Sequence, residues 1–114
     1  MMGQQRLTRL NELVCHEFNS ILRTLYRDDL LDITVTEVRI SPDLHDAYVF
    51  VSILGDEGRE REMFKSLIKK LPAIRKNLFS KISLKYSPRL NLRLDKSISR
   101  GYKITDLLDS ISNE

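Results

Sequence analysis

The stretch ITVTEVRISPDLHDAYVFVSIL, residues 33–54, decides the fold. Its two halves, residues 33–41 and 47–54, are rich in β-branched and aromatic residues, which favour strands. Residues 41–46 between them have the chemistry of a turn, because Pro42 presets φ and the Ser and Asp side chains bond to nearby backbone. Two strands joined by so short a connection are predicted to pair as an antiparallel hairpin.

The alternation of side chains predicts which face of this hairpin is buried. The second strand places its aliphatic residues on one face: Ala47, Val49, Val51 and Ile53. Tyr48 and Phe50 then lie on the other face, where they either stack on nucleic-acid bases or are covered by the C-terminal segment, and we favour the covering. In the first strand the alternation slips between Val35 and Val38, which predicts a β-bulge.

Helical patterns lie on both sides of the hairpin. Over residues 6–26, apolar side chains recur at steps of three and four without Gly or Pro, as in an amphipathic helix. These positions are Leu7, Leu10, Val14, Phe18, Ile21 and Leu25. A second helical pattern follows Gly58 and is interrupted by Pro72, because proline inside a helix costs about 3 kcal/mol and restricts the residue before it. We therefore predict a helix, a sharp kink at Pro72, and another helix.

The second arm beyond the kink carries an apolar stripe and ends at Ser87-Pro88. The stripe is formed by Ile74, Leu78 and Ile82. Residues 89–95 then alternate leucines with Asn, Arg and Asp, which is typical of a half-buried strand. After Gly101 a last apolar pattern predicts one short helix: Ile104, Leu107, Leu108 and Ile111.

The predicted order is α-β-β-α-kink-α-β, an α+β domain with helices on one face of a three-stranded sheet. The same order is found in type II KH-like RNA-binding domains.

The 114 residues are 41% hydrophobic and suffice for one domain over residues 1–114, with its core in about 6–95 and a short C-terminal segment at 96–114. Cys15, the single cysteine, excludes a disulfide framework and a Cys-rich zinc site. Because the sequence shows no secretory signal and no span of about 20 apolar residues, we expect a cytoplasmic protein with no membrane partner. We also expect a monomer.

The distribution of charge is more informative than the net charge of +3. Residues 63–94 contain no acidic residue and nine basic ones, whereas the rest of the chain carries ten basic and sixteen acidic residues. Such a one-signed segment attracts a polyanion, so we predict contact with nucleic acid, RNA or DNA, by phosphate neutralisation. The predicted contacts are Lys65, Lys69, Lys70, Arg75, Lys76, Lys81, Lys85, Arg89 and Arg93. Lys65 and Lys69, and likewise Lys81 and Lys85, are one helical turn apart and are expected to share a face.

Two other functions of this basic segment remain as alternative hypotheses, and neither is enzymatic. It could dock an acidic protein partner, or the kinked helix pair could bind DNA as a helix-turn-helix. The sequence has no catalytic or metal-binding motif, so no cofactor, metal or small-molecule substrate is expected. Gly55-Asp56-Glu57-Gly58 matches the KH Gly-x-x-Gly loop only by letter, since it follows a strand and its acids would repel phosphate.

Four blocks of the chain resemble the ribosome-binding factor A family. A strand-turn-strand signature is formed by Val38-Arg39-Ile40-Ser41-Pro42-Asp43-Leu44 and Ala47-Tyr48-Val49-Phe50-Val51-Ser52. The closing strand and tail of the family are matched by Pro88-Arg89-Leu90-Asn91-Leu92-Arg93-Leu94-Asp95 and by Gly101-Tyr102-Lys103-Ile104 with Leu107-Leu108. These blocks and the helical pattern between them cover nearly the whole chain in order.

This resemblance implies a type II KH-like domain without enzymatic activity. It implies binding to the immature small (30S) ribosomal subunit through its rRNA, and a part in late subunit maturation and rRNA processing, notably in the cold. The family has an Ala-x-Gly kink between its second and third helices. The matching positions here are Lys70-Leu71-Pro72, which is a departure, because Pro72 fixes φ and removes a backbone donor where Gly would allow close approach.

Overall fold

The computed structural model describes residues 3–26 and 33–95. Its elements are α1 (Gln4–Leu25), β1 (Ile33–Ile40), β2 (Asp46–Ile53), α2 (Glu57–Lys81) and β3 (Arg89–Leu94). Both helices contribute to one apolar core against the same face of the sheet, so the α+β prediction is confirmed. The predicted helix after Gly101 lies outside the described residues.

The sheet has the order β1-β2-β3, with β2 in the centre. β1 and β2 are antiparallel, as the hairpin predicts, whereas β2 and β3 are parallel because α2 carries the chain back across the sheet. The register shifts between Val35 and Glu37, which confirms the predicted bulge. Thr36 is the extra residue, and its hydroxyl donates to the Asp95 carboxylate at 2.6 Å, just beyond the end of β3.

The hairpin turn is held by side chains, as its composition predicts. The Asp43 carboxylate accepts from the Ser41 hydroxyl at 2.6 Å and from the His45 backbone N–H at 3.1 Å. Leu44 adopts a φ of 65°, the left-handed geometry that a tight turn requires. The hydrogen bonds from Ser41 and His45 lower the pKa of Asp43, so its carboxylate stays ionised and fixes the backbone of His45.

The core is built where the predicted apolar stripes meet the inner face of the sheet. Its largest fully buried side chains include Val14 and Phe18 of α1, Leu67, Ile74 and Leu78 of α2, and Val49 and Val51 of β2. In β3, Leu92 is buried beside Val49 in register, so the alternation predicted for residues 89–95 is also confirmed. Burial of an aliphatic side chain contributes about 1.5–3 kcal/mol, so these contacts outweigh the propensity of any single residue.

Polar side chains of α1 cover the free edge of β1. The Asn19 side chain accepts from the Val35 N–H at 2.8 Å and donates to the Val35 carbonyl at 3.0 Å, while Asn11 accepts from the Ile40 N–H at 2.9 Å. Cys15 lies between them on the helix, half-buried. Burial and then the charge of Glu37 raise the pKa of the Cys15 thiol, which suits a packing residue and not a nucleophile.

The predicted division of residues 63–86 into two helices is wrong. One helix of 25 residues runs from Glu57 to Lys81 with Pro72 inside it. Pro72 removes one hydrogen bond from the helix, at a cost of about 3 kcal/mol. The helix persists because both sides of the proline are anchored in the core, through Leu67 before it and Ile74 and Leu78 after it.

The same helix ends earlier than predicted, at Lys81 instead of near Ser87. Ile82 has an extended backbone (φ −113°, ψ 111°) and turns its side chain into the core. Lys85 therefore lies in the connection to β3, and the predicted helical pairing of Lys81 with Lys85 is wrong.

Candidate nucleic-acid interface

Three lysines form the outer face of α2, defined here as Lys65, Lys69 and Lys76. Their spacing of four and seven residues places them on one side of the helix, opposite the buried Leu67 and Leu78. All three are exposed, and none makes a hydrogen bond or ion pair within the described part of the chain. The outer face of α2 is therefore a row of ammonium groups that form no ion pair with the described residues.

The other predicted contacts on α2 are placed differently. Lys70 is half-buried and sets its ammonium 4.2 Å from the centre of the Tyr26 ring. The Tyr26 hydroxyl in turn lies 2.9 Å from the Ser66 hydroxyl, so this cluster joins the end of α1 to α2. Lys81 occupies the last turn of α2, where a cation is favoured by the helix dipole.

Arg75 holds the connection between α2 and β3. Its Nε donates to the Pro88 carbonyl at 3.0 Å, and its Nη2 donates to the Ser87 carbonyl. Two parallel hydrogen bonds from one guanidinium fix the approach of the chain to β3. Arg75 is thus partly committed to the fold, although its side chain remains exposed.

The two predicted contacts on β3 lie on the outer face of the sheet, away from both helices. This outer sheet face carries Glu37, Arg39, Asp46, Tyr48, Phe50, Arg89 and Arg93. Arg89 forms an ion pair with Asp46 at 3.3 Å, and Arg93 lies 5.7 Å from the centre of the Tyr48 ring. Arg39 pairs with Glu37 at 3.1 Å and also lies 5.6 Å from the Phe50 ring. Each arginine of this face has an internal partner.

Two open clefts flank the connection between α2 and β3. A cleft of about 490 Å³ lies along the end of α2 and is lined by Pro72, Arg75, Lys76, Phe79, Ser80 and Ser87. The other, which we name the connection cleft, has about 580 Å³ and is lined by His45, Arg75, Lys85, Tyr86, Ser87 and Arg89. In the predicted kink, Leu71 packs against the core while Pro72 is exposed and reaches the first cleft.

Sequence reasoning missed the pair of rings in the connection cleft. His45 of the hairpin turn and Tyr86 of the connection stack at 5.0 Å between ring centroids, with 29° between the ring planes. Both side chains are exposed. Nothing in the local pattern points to the pair, because the two residues meet only when β3 docks beside β2.

The glycine pattern of residues 55–58 includes the start of α2, which begins at Glu57 and not after Gly58 as the sequence pattern predicts. The Asp56 side chain caps α2 by accepting from the Arg59 N–H at 2.8 Å. Gly55 has a φ of 125°, where a Cβ would meet the Arg59 side chain at 2.5 Å. This segment therefore begins the helix and offers no Gly-x-x-Gly clamp to a phosphate.

Within residues 3–26 and 33–95, no group of three or more His, Cys, Asp or Glu side chains is arranged to hold a metal ion. Neither described helix combines the length and apolar character needed to cross a bilayer.

These features define a small KH-like α+β domain with one helix face whose lysines have no ion-pair partner in residues 3–26 and 33–95. The model of the ribosome-binding factor A family matches residues 6–108, and the chain belongs to that family. A ribosome-binding factor A from Opitutus terrae is 38% identical over 109 residues, covering 96% of this chain and 89% of the relative. One from Halothermothrix orenii is 36% identical, covering 99% of this chain and 93% of the relative.

Solved structures agree with the fold. The crystal structure of ribosome-binding factor A from Thermus thermophilus aligns with a TM-score of 0.68 at 19% identity, covering 77% of this chain and 94% of that one. The solution structure of a Thermotoga maritima protein gives the same TM-score of 0.68 at 21% identity, covering 82% of this chain and 90% of that one. At these identities the likeness is evidence for the fold alone.

Proposed function

We propose that the protein binds the immature small (30S) ribosomal subunit through phosphates of its rRNA and promotes late subunit maturation and rRNA processing. The observation that carries this proposal is the outer face of α2, where Lys65, Lys69 and Lys76 have no internal partner among the described residues. Membership of the ribosome-binding factor A family supports the choice of the ribosome as the polyanion.

The proposed contact is electrostatic and does not read bases. Lysine ammonium groups neutralise phosphates and release counterions, which makes binding strongly salt-dependent. The row on α2 is exposed and needs no rearrangement before it meets RNA. Among the remaining predicted contacts, Lys70, Lys81 and Lys85 have no ion pair to described residues and add to the same positive potential. Arg75, Arg89 and Arg93 have partners within the fold and are expected to contribute less.

The proposal also covers the oligomeric state, the location and the non-enzymatic role of the protein. We propose a single-domain monomer that acts in the cytoplasm, as an assembly factor without enzymatic activity, cofactor or metal, and with its largest effect in the cold. Cys15, the single cysteine of the sequence, packs beside β1 and has a raised thiol pKa, which favours a packing residue over a nucleophile.

The two alternative functions differ in their support. A helix-turn-helix requires two short helices joined by a turn, and the continuous α2 removes that basis. An acidic protein partner would use the same lysines as RNA, so the experiment has to separate the two.

Co-sedimentation with ribosomal particles tests the proposed function. We expect the purified protein to migrate with free small subunits in a sucrose gradient at low salt and not with translating ribosomes. Migration with a protein partner after RNase treatment would favour the acidic-protein alternative. The absence of any migration with small subunits would contradict the proposal.

A further inference from the structure

We propose that the His45–Tyr86 pair in the connection cleft is a stacking platform for one unpaired RNA base. This inference rests on the proposed function and specifies it, because it requires a single-stranded nucleotide next to the phosphates that the lysines contact. The two rings already stack on each other at 5.0 Å. A base added to an exposed ring face would extend that stack.

The surroundings of the pair favour a nucleotide over an apolar ligand. Arg75, Lys85 and Arg89 line the same cleft. Arg75 and Arg89 are bound to backbone carbonyls and to Asp46, respectively, whereas Lys85 has no ion pair among the described residues and its ammonium lies 5.4 Å from the centre of the Tyr86 ring. Aromatic faces beside cations are the combination with which proteins bind single-stranded nucleic acid.

The platform is held in place before any ligand arrives. The His45 backbone donates to Asp43 at 3.1 Å and accepts from the Arg89 N–H at 2.8 Å. On the other side, Arg75 binds the carbonyls of Ser87 and Pro88, directly after Tyr86. Because hydrogen bonds fix the backbone of His45 and of the two residues that follow Tyr86, little backbone ordering is needed when a base binds.

The same structure contains a matched control. Tyr48 on the outer sheet face is 38% exposed, compared with 45% for Tyr86, and it also lies beside an arginine. Its neighbours Arg39, Arg89 and Arg93 all have internal partners. A general effect of removing an exposed tyrosine would therefore appear equally in Tyr48→Ala and Tyr86→Ala.

The test compares two RNA probes, a hairpin with a fluorescent adenine analogue in its unpaired loop and a blunt duplex of the same stem. We expect Tyr86→Ala to weaken hairpin binding by about tenfold with an unchanged salt slope, since stacking involves no counterion release. Tyr48→Ala should bind like the unmodified protein, and Tyr86→Phe should restore binding because it keeps the ring. The duplex should bind all four proteins alike.

Quenching of the analogue by the unmodified protein gives a second measurement that needs no variant. Quenching on binding is expected if the base stacks on the rings. Salt-dependent binding of both probes without quenching, or with equal losses for Tyr86→Ala and Tyr48→Ala, would overturn the platform and leave the proposed function standing. Failure of the unmodified protein to bind either probe would overturn both.

Discussion

The outer face of α2 and the outer sheet face carry the same number of cations but use them differently. On α2, Lys65, Lys69 and Lys76 have no hydrogen bond or ion pair to described residues. On the sheet, each arginine is matched by a carboxylate or an aromatic ring within the fold: Arg39 by Glu37 and Phe50, Arg89 by Asp46, and Arg93 by Tyr48.

This difference shows that a cation contributes to phosphate binding only to the extent that it is not already paired within the fold. An arginine paired with Asp46 or Glu37 contributes little net potential and must release its partner before it binds a phosphate fully. A solvated lysine without an ion pair has no partner to release before it binds a phosphate. We therefore assign the main RNA contact to α2.

The largest expected effect comes from reversing the charges of the outer face of α2. The triple variant Lys65→Glu, Lys69→Glu and Lys76→Glu should bind small-subunit rRNA at least about a hundredfold more weakly, because three charge-assisted contacts are replaced by repulsion. Filter binding at low salt measures this loss.

A variant with the same change in net charge serves as the control. Arg6, Arg9 and Arg23 are exposed on α1, far along the chain from the acid-free segment. Replacing these three by Glu should reduce affinity much less than the α2 variant. Equal losses would mean that overall charge, and not the face of α2, governs binding.

The next effect is on stability and concerns Arg75. Arg75→Ala should lower the free energy of unfolding by about 1–3 kcal/mol, because the carbonyls of Ser87 and Pro88 lose a charged donor. Arg75→Lys should recover only part of this, since lysine lacks the planar fork. Urea unfolding distinguishes the two variants, and an unchanged midpoint for Arg75→Ala would contradict the assigned role.

A smaller effect is expected for Arg39 on the outer sheet face. Arg39→Ala should cost about 0.5–1 kcal/mol of stability, because it removes an exposed ion pair and one cation–π contact. Affinity for rRNA should stay within about twofold, in contrast to a single substitution at Lys69. A loss of rRNA affinity as large as that of Lys69→Ala would contradict the different roles assigned to the two faces.

The smallest effect is expected at Cys15, where the charge of Glu37 adds to burial in raising the thiol pKa. A raised pKa leaves less thiolate at any given pH, so alkylation at about pH 8 should be slower than for a free thiol. Unfolding in urea should raise the alkylation rate of Cys15 to that of a free thiol. Rapid alkylation of the folded protein would contradict the packing role.

Most of the fold could be predicted from local patterns. The steps of three and four in α1, the alternation of β2 and β3, and even the bulge at Thr36 are encoded in adjacent residues. The continuity of α2 could not be predicted, because the cost of Pro72 is local whereas the burial of Leu67, Ile74 and Leu78 that offsets it depends on the assembled core.

The candidate site could be predicted only as a set of charges. Composition identifies the acid-free segment, but it does not distinguish Lys69, which has no partner among the described residues, from Arg75 or Arg89, which are bound to distant carbonyls or to Asp46. The stacking of His45 on Tyr86 arises in the same way, from strands that meet through the fold.

The most direct test of the account is the salt dependence of binding to purified small-subunit rRNA. The slope of log K against log salt concentration should be shallower by about two to three in a Lys65→Gln, Lys69→Gln and Lys76→Gln variant than in the unmodified protein, since three phosphate contacts are lost. A slope that stays the same in this variant would contradict the claim that the outer face of α2 binds the phosphates.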